Sequence, residues 1–259
     1  MTDQPDLTGA PYPGAPVTYA EARDAGVDLR RQRWGLADIA IAMLLSLFAP
    51  ILVLGLGQAV GATPGTPVWL VLAIASPWIG FGLWPWLTTR LQGNGARIDL
   101  GVAFRWSDLG WGLLGGVACW VLASLVAGLT QRFFGDFSSS AADAIVESDG
   151  SKVVTILVLV VVVTLGPFFE ELCFRGLAFA AVAKSSAARG LPAVPLATVV
   201  SAVLFTLIHF EVVRIGVLLT IGLVLGLLRA LTGRIGASVV AHGVNNLVAV
   251  VGIVQVIDW

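Results

Sequence analysis

The chain has 259 residues, of which 57% are hydrophobic and 12% are charged, and its formal net charge is −1. A charged fraction about half that of an ordinary soluble domain, with a mean hydropathy of +0.91, excludes a soluble globular protein. The near-neutral charge excludes a nucleic-acid-binding protein, which needs a basic face. We therefore predict an all-α, polytopic transmembrane helical bundle.

The amino-terminal segment, residues 1–34, lacks an apolar run and is rich in proline and glycine. Such a composition is typical of a mobile polar tail and not of a cleavable signal peptide. We predict a mobile cytoplasmic tail over residues 1–34 and a transmembrane domain over residues 35–259.

Apolar stretches of about 20 residues, the length that crosses a bilayer, predict about seven spans, or eight if a re-entrant helix is present. Their approximate ranges are 35–60, 68–89, 109–130, 152–182, 192–210, 213–231 and 235–257. Pro77 and Pro85 should kink the second span. The glycines at 112, 115 and 116 should allow the third span to approach another helix closely.

Basic residues cluster before the first span and after the second, fourth and sixth spans. These residues are Arg23, Arg30, Arg31, Arg33, Arg90, Arg97, Arg105, Lys184, Arg189, Arg229 and Arg234. The loop after the third span is instead acidic, with Asp136, Asp143, Glu147 and Asp149. The positive-inside rule then places the amino terminus in the cytoplasm and Ile257–Trp259 outside. The alanine-, glycine- and arginine-rich composition favours a bacterial plasma membrane.

Two adjacent acids and an arginine interrupt the fourth span, where ionisable residues are costly and usually functional. Neighbours on a helix point about 100° apart, so Glu170 and Glu171 should face different surroundings. Glu171 and Arg175 lie four residues apart in the acid-first order that favours a helical ion pair. This leaves Glu170 to face a cavity as a candidate general base. The alternative is a charge cluster that caps a helix near the cytoplasmic face.

The two histidines of the chain, His209 and His242, lie in later apolar stretches. Phe205 shares a helical face with His209, and Asn246 shares one with His242. Taken singly, each motif is better explained by a histidine at a membrane edge or by polar contacts between helices. Taken together, three separate spans carry such polar groups, which favours convergence on one cavity.

The three motifs, Glu-Glu-x-x-x-Arg, Phe-x-x-x-His and His-x-x-x-Asn in this order on successive apolar helices, resemble the CPBP intramembrane protease family. This is the Abi or CAAX-protease-related group, which includes the type II CAAX prenyl endopeptidases. The resemblance covers about residues 152–251, which would form the protease-like core. It implies an intramembrane endopeptidase whose substrate is a membrane protein or a lipidated peptide in the lipid bilayer.

The resemblance also implies roles for individual residues. The implied catalytic residues are Glu170, His209, His242 and Asn246, and the supporting residues are Glu171, Arg175 and Phe205. Glu170 would take a proton from a water that His209 orients. His242 and Asn246 would then donate hydrogen bonds to the oxyanion.

No cofactor is predicted, although zinc is an alternative that the residues leave open. Glu170, His209 and His242 match the ligand count of a catalytic zinc site with an open position. Asn246 favours the metal-free scheme, because a neutral amide suits an oxyanion hole better than a zinc shell.

Two other classes of function compete with the protease. A non-catalytic membrane scaffold or immunity protein would tolerate decayed motifs, whereas here the motif set is complete. A transporter would use the polar cluster as an ion site, but the sequence lacks the repeated halves that many transporters show. One geometric problem remains for the protease: in simple up-and-down spans, Glu170 lies toward the cytoplasmic end and His209 near the far end. They could meet only if the Glu-Glu helix is long and tilted or if the fifth segment enters the bundle deeply.

Overall fold

The computed structural model describes residues 9–64, 66–146 and 152–256, and the regular elements within these ranges are all helical. In chain order the helices are α1 (Tyr19–Asp24), α2 (Leu36–Ala59), α3 (Pro67–Ala75), α4 (Trp84–Gln92), α5 (Ala96–Asp99), α6 (Ser107–Phe134), α7 (Ser140–Val146), α8 (Lys152–Val163), α9 (Leu165–Glu171), α10 (Phe179–Ala187), α11 (Ala193–Leu207), α12 (Ile215–Thr232) and α13 (Gly236–Val256). Two π-helical segments, Ile79–Leu83 and Leu172–Ala178, precede α4 and α10, and a 3-10 turn, Val212–Arg214, precedes α12. The predictions for Ile257–Trp259 and for the acidic Glu147 and Asp149 lie outside the described residues.

Within the described ranges, six helical stretches are long and apolar enough to cross a membrane. They are Leu36–Ala59, Val68–Gln92, Ser107–Phe134, Thr155–Ala187, Val212–Thr232 and Gly236–Gln255. The prediction of a polytopic helical bundle is confirmed. The segment predicted as the fifth span is the shorter helix α11, whose 15 residues rise by about 22 Å and fall short of the roughly 30 Å hydrocarbon core.

The helix that carries the two glutamates is the longest of these stretches, at 33 residues. It bends where α8 ends, because Thr164 has φ −112° and ψ −70° and Pro167 lies in the first turn of α9. Glu170 lies near the middle of the stretch. The long helix and the short α11 together remove the geometric problem posed by simple up-and-down spans.

Glycines on α6 allow close packing against α12 and α13, as predicted. A Cβ atom built at Gly112 would lie 2.4 Å from the Val240 side chain, and one at Gly116 would lie 2.5 Å from Val244. Real Cβ atoms do not approach so closely, so these positions require glycine. The contact fixes α13, which carries His242, against α6.

Part of the predicted mobile tail packs on the bundle, and the prediction has to be corrected for these residues. The Tyr12 and Trp34 side chains are each 2% exposed. Arg229 Nη1 donates a hydrogen bond to Gly14 O at 2.8 Å, and Lys184 Nζ donates to Trp34 O at 2.5 Å. The physical reason is that buried cations need acceptors, and this segment supplies them.

Prolines interrupt the second predicted span in the way the sequence suggests. α3 ends at Ala75, and Pro77 lies in the turn before the π-helical segment. Pro85 is the second residue of α4, directly after the π-helical segment, and having no N–H it cannot bond to the preceding turn.

Candidate active site

A fully buried ion pair forms the base of the site. Arg175 Nη1 donates to Glu171 Oε1 at 2.8 Å, and both side chains are 0% exposed. Arg175 Nη2 donates to Gly222 O of α12 at 2.9 Å, and the guanidinium lies 4.7 Å from the centroid of the Phe205 ring. The ion pair that the four-residue spacing predicts is therefore present, and it ties the Glu-Glu helix to α12.

His242 of α13 lies between the two glutamates. Its Nδ1 is 3.1 Å from Glu171 Oε1, and its Nε2 is 3.9 Å from Glu170 Oε2. Because an ionised carboxylate only accepts hydrogen bonds, Nδ1 carries the hydrogen in the first contact. The Glu170 side chain is 24% exposed, so the adjacent glutamates do occupy different surroundings, as predicted.

His209 lies just beyond the end of α11, which stops at Leu207. Its Nδ1 is 2.6 Å from Phe205 O; a carbonyl only accepts, so Nδ1 donates and Nε2 is left as an acceptor in the neutral ring. The Phe205 ring centroid lies 4.7 Å from that of His209 and 5.6 Å from that of His242. Phe205 therefore contacts both histidines.

An unusual backbone conformation follows His209. Phe210 has φ 55° and is, within the described ranges, the single residue other than glycine with positive φ. Such a conformation is uncommon for a bulky side chain. The next residue, Glu211, accepts hydrogen bonds from Ser140 N and Oγ at 2.9 and 2.8 Å and pairs with Arg214. In the sequence, Glu211, two residues after His209, was the feature that could have indicated this anchored loop.

Asn246 is the predicted site residue whose described hydrogen bonds lead away from the glutamates. Its Nδ2 donates to Val162 O of α8 at 3.0 Å, and its Oδ1 accepts from Asn245 Nδ2 at 3.4 Å. The side-chain amide has a second N–H, and an oxyanion role would have to use that group.

Several buried polar atoms of the site lack a hydrogen-bond partner among the described residues. They include Glu170 Oε2, Glu171 Oε2 and Arg175 Nε. Buried polar atoms usually bond to protein or to ordered water. The 3.9 Å between Glu170 Oε2 and His242 Nε2 is too long for a direct hydrogen bond but allows one water to contact both atoms.

The arrangement of the nitrogen and oxygen donors bears on the zinc alternative. Among the described residues no three His, Cys, Asp or Glu side chains group together as metal ligands. The Nδ1 atoms of His209 and His242 face Phe205 O and Glu171 Oε1. Both Nε2 atoms stay available, and zinc-bound histidines also donate their other ring N–H to a carbonyl or carboxylate, so this arrangement does not decide between the metal-free scheme and the zinc alternative.

An apolar cavity of about 450 Å³ lies between the second span and the Glu-Glu helix. From the Glu-Glu helix it is lined by Phe168, Phe169 and Leu172, all within two residues of Glu170. Trp78 stacks on Phe169 with ring centroids 4.6 Å apart and also lines a second cavity of about 400 Å³ along α3 and α8. The two cavities together follow the face between these helices.

Fold and site together define an integral membrane protein whose ionisable residues converge inside the helical bundle. Residues 152–248 match the family model described as type II CAAX prenyl endopeptidase Rce1-like. This segment contains all the predicted site residues, and its match supports membership of the CPBP or CAAX protease family. No curated protein and no solved structure matches the chain.

Proposed function

We propose that the protein is an intramembrane endopeptidase that hydrolyses a peptide bond in a membrane-associated protein or peptide, with or without an attached lipid. The observation that carries the proposal is the partly exposed Glu170 carboxylate facing the His242 ring at 3.9 Å. A carboxylate and an imidazole at this separation have the groups needed to activate and retain a water molecule. The family match supports peptide-bond hydrolysis as the reaction class.

In the first step, Glu170 takes a proton from water while the water oxygen attacks the substrate carbonyl carbon. His209 orients this water by accepting a hydrogen bond at Nε2, since its Nδ1 is engaged by Phe205 O. The product of the step is a tetrahedral intermediate with a negative charge on the former carbonyl oxygen.

In the second step, the intermediate collapses. His242 and the second N–H of Asn246 donate hydrogen bonds to the oxyanion, and such a donor is worth about 2.7–4 kcal/mol in a dry site. For this donation the His242 ring carries a hydrogen on each nitrogen: Nε2 donates to the oxyanion, while the Nδ1 hydrogen faces Glu171, which the ion pair with Arg175 holds in place. Glu170 then returns its proton to the leaving amine as the C–N bond breaks.

The apolar cavities support a substrate that approaches within the membrane. Their linings are dominated by tryptophan, phenylalanine and aliphatic side chains. Such walls suit an apolar helix or a lipid chain, because they offer few polar partners to a soluble peptide. In this scheme the substrate reaches the site by lateral diffusion in the bilayer, and its scissile bond approaches Glu170 from within the membrane.

The proposal is tested by incubating purified protein in detergent with lipidated and non-lipidated peptide libraries. We expect Glu170→Gln to lower the cleavage rate at least about 100-fold, the scale of general acid–base catalysis, and a zinc chelator to leave the rate unchanged. Asp136→Asn is the matched control, because it neutralises an exposed carboxylate outside the bundle. Full cleavage by Glu170→Gln would refute the mechanism, inhibition by the chelator would favour a zinc enzyme, and inactivity of the native protein would favour a scaffold.

A further inference from the structure

Arg229, near the end of α12, has all its donor-bearing nitrogens engaged although its side chain is fully buried. Its Nε donates to Arg175 O at 2.9 Å. Its Nη1 donates to Gly14 O and its Nη2 to the Tyr12 hydroxyl, both at 2.8 Å. One guanidinium therefore joins the amino-terminal segment to the backbone of the Glu-Glu helix.

The acceptor on that helix lies in its π-helical segment. In a regular α-helix the Phe179 N–H would bond to Arg175 O, but here it bonds to Phe174 O and Gly176 O. Arg229 supplies a donor to the Arg175 carbonyl from α12. The Arg175 side chain in turn donates to Gly222 O on the same helix, so α12 holds this residue by both its backbone and its side chain.

Tyr12 and Gly14 supply the two remaining hydrogen-bond acceptors of Arg229. They lie at the end of the bundle that the basic loops predict to be cytoplasmic. Burial raises the pKa of the Tyr12 phenol, so the hydroxyl that accepts from Arg229 is neutral at physiological pH. The guanidinium also lies 4.7 Å from the centroid of the Phe179 ring. If Tyr12 and Gly14 were withdrawn, two donor nitrogens would lose their partners in an apolar interior, which is costly.

A second contact joins the same segment to the same helical run. Lys184 of α10 donates to Trp34 O, and its Nζ lies 3.7 Å from the centroid of the Trp34 ring. The amino-terminal segment is therefore linked to the helical run after the two glutamates at two points. One is Arg175, through Arg229, and the other is Lys184, through Trp34.

We propose that Tyr12, Gly14 and Trp34 of the amino-terminal segment are positioning residues of the active site. Tyr12 and Gly14 hold Arg229, and Arg229 fixes the backbone of Arg175 so that the Arg175–Glu171 pair presents Glu171 to His242. Tyr12 and Arg229 touch no reacting atom and act through this pair. The inference rests on the proposed protease function for its effect on rate, but the contact itself can be tested without catalysis.

The kinetic test compares Tyr12→Phe, Arg229→Lys and the double variant with the native enzyme. Tyr12→Phe removes one hydrogen bond to a charged group, so we expect kcat to fall about tenfold while KM stays unchanged. If the two residues act through each other, the double variant will be no slower than Arg229→Lys. Tyr19→Phe is the matched control, because it deletes a buried hydroxyl from the same segment without contacting Arg229.

A conformational readout uses the two native cysteines, both fully buried. Cys173 lies in the π-helical segment between Glu171 and Arg175, whereas Cys119 lies on α6. Alkylation by N-ethylmaleimide, located by mass spectrometry, should become faster at Cys173 in Tyr12→Phe and Arg229→Lys. Cys119 should stay protected, and Tyr19→Phe should resemble the native protein at both sites.

The outcomes separate the inference from the proposed function. Unchanged kcat with unchanged Cys173 labelling overturns the inference, as does labelling of both cysteines, which would mean general loosening. A lower kcat without faster alkylation of Cys173 overturns the proposal that Tyr12 and Arg229 act on the site through Arg175. If the native protein cleaves nothing but Cys173 responds as expected, the protease function fails while the positioning contact stands.

Discussion

Glu170 and Glu171 are adjacent in the chain but differ in what they contact. Glu171 is fully buried and accepts from both Arg175 and His242 through Oε1. Glu170 is partly exposed, and its Oε2 faces His242 across 3.9 Å. One glutamate therefore holds the site together, while the other remains available for chemistry.

This difference predicts that a Glu→Gln substitution affects the unfolding free energy much more at Glu171 than at Glu170. Glu171→Gln leaves the buried guanidinium of Arg175 without its counter-charge, so we expect a loss of about 3–5 kcal/mol in unfolding free energy. Glu170→Gln should stay within about 1 kcal/mol of the native protein, because its carboxylate is not part of a close ion pair. Denaturant unfolding in detergent micelles measures both values, and equal losses would contradict the division of roles.

At the scale of helices, the site depends on how closely α6 and α13 approach. α13 carries His242 and Asn246, and small residues on α6 let the two backbones come together. A separation of these helices would move His242 relative to the Glu-Glu helix. The close packing of α6 against α13 therefore contributes to the geometry of the site, although α6 lies outside the family match, which begins at residue 152.

Two glycines on α6 provide a matched pair for testing this dependence. Gly112→Ala places a Cβ 2.4 Å from Val240, so we expect a loss of about 1–3 kcal/mol from overpacking and slower cleavage. Gly110→Ala meets nothing within 4 Å, and the better helix propensity of alanine should leave stability unchanged or raise it by up to about 1 kcal/mol. Thermal unfolding and cleavage rates of the two variants, measured side by side, check the expectation, and equal behaviour would refute it.

At the scale of the whole molecule, the basic loops meet at one end of the bundle. Arg30 N donates to Asn94 Oδ1 at 2.7 Å, and the contacts of Lys184 and Arg229 with the amino-terminal segment lie at the same end. By the positive-inside rule we expect this end to face the cytoplasm.

The orientation can be measured with single added cysteines and a membrane-impermeant thiol reagent. Ala188→Cys, at the exposed turn after α10, should react only after the cells are opened. Thr63→Cys, in the exposed connection between α2 and α3, should react in intact cells. The native Cys119 and Cys173 are buried and give little background, and the reverse pattern would invert the topology.

The sequence predicted those parts of the molecule that depend on local spacing and composition. The Glu171–Arg175 pair follows from a four-residue interval, and the spans follow from apolar runs. The length of α11 could not be predicted, because Ile208 and Phe210 after Leu207 are also apolar and composition alone does not mark the helix end. The contact of Arg229 with Tyr12 joins residues 217 positions apart, and periodicity carries no information about such a pair. The spacing places Asn246 on the same helical face as His242, but the bond of Asn246 to Val162 O depends on how α8 packs against α13, which spacing does not give.

The short helix α11 also determines how the protein meets its lipid surroundings. Val199, Val203 and Leu207 form an exposed apolar stripe along it, yet the helix is about 8 Å shorter than the usual hydrocarbon thickness. Lipids next to this stripe must compress, or water must enter beside the loop that carries His209, and hydrophobic mismatch costs a fraction of a kcal/mol per ångström. Acyl-chain length in the surrounding bilayer therefore acts directly on the part of the fold that presents His209.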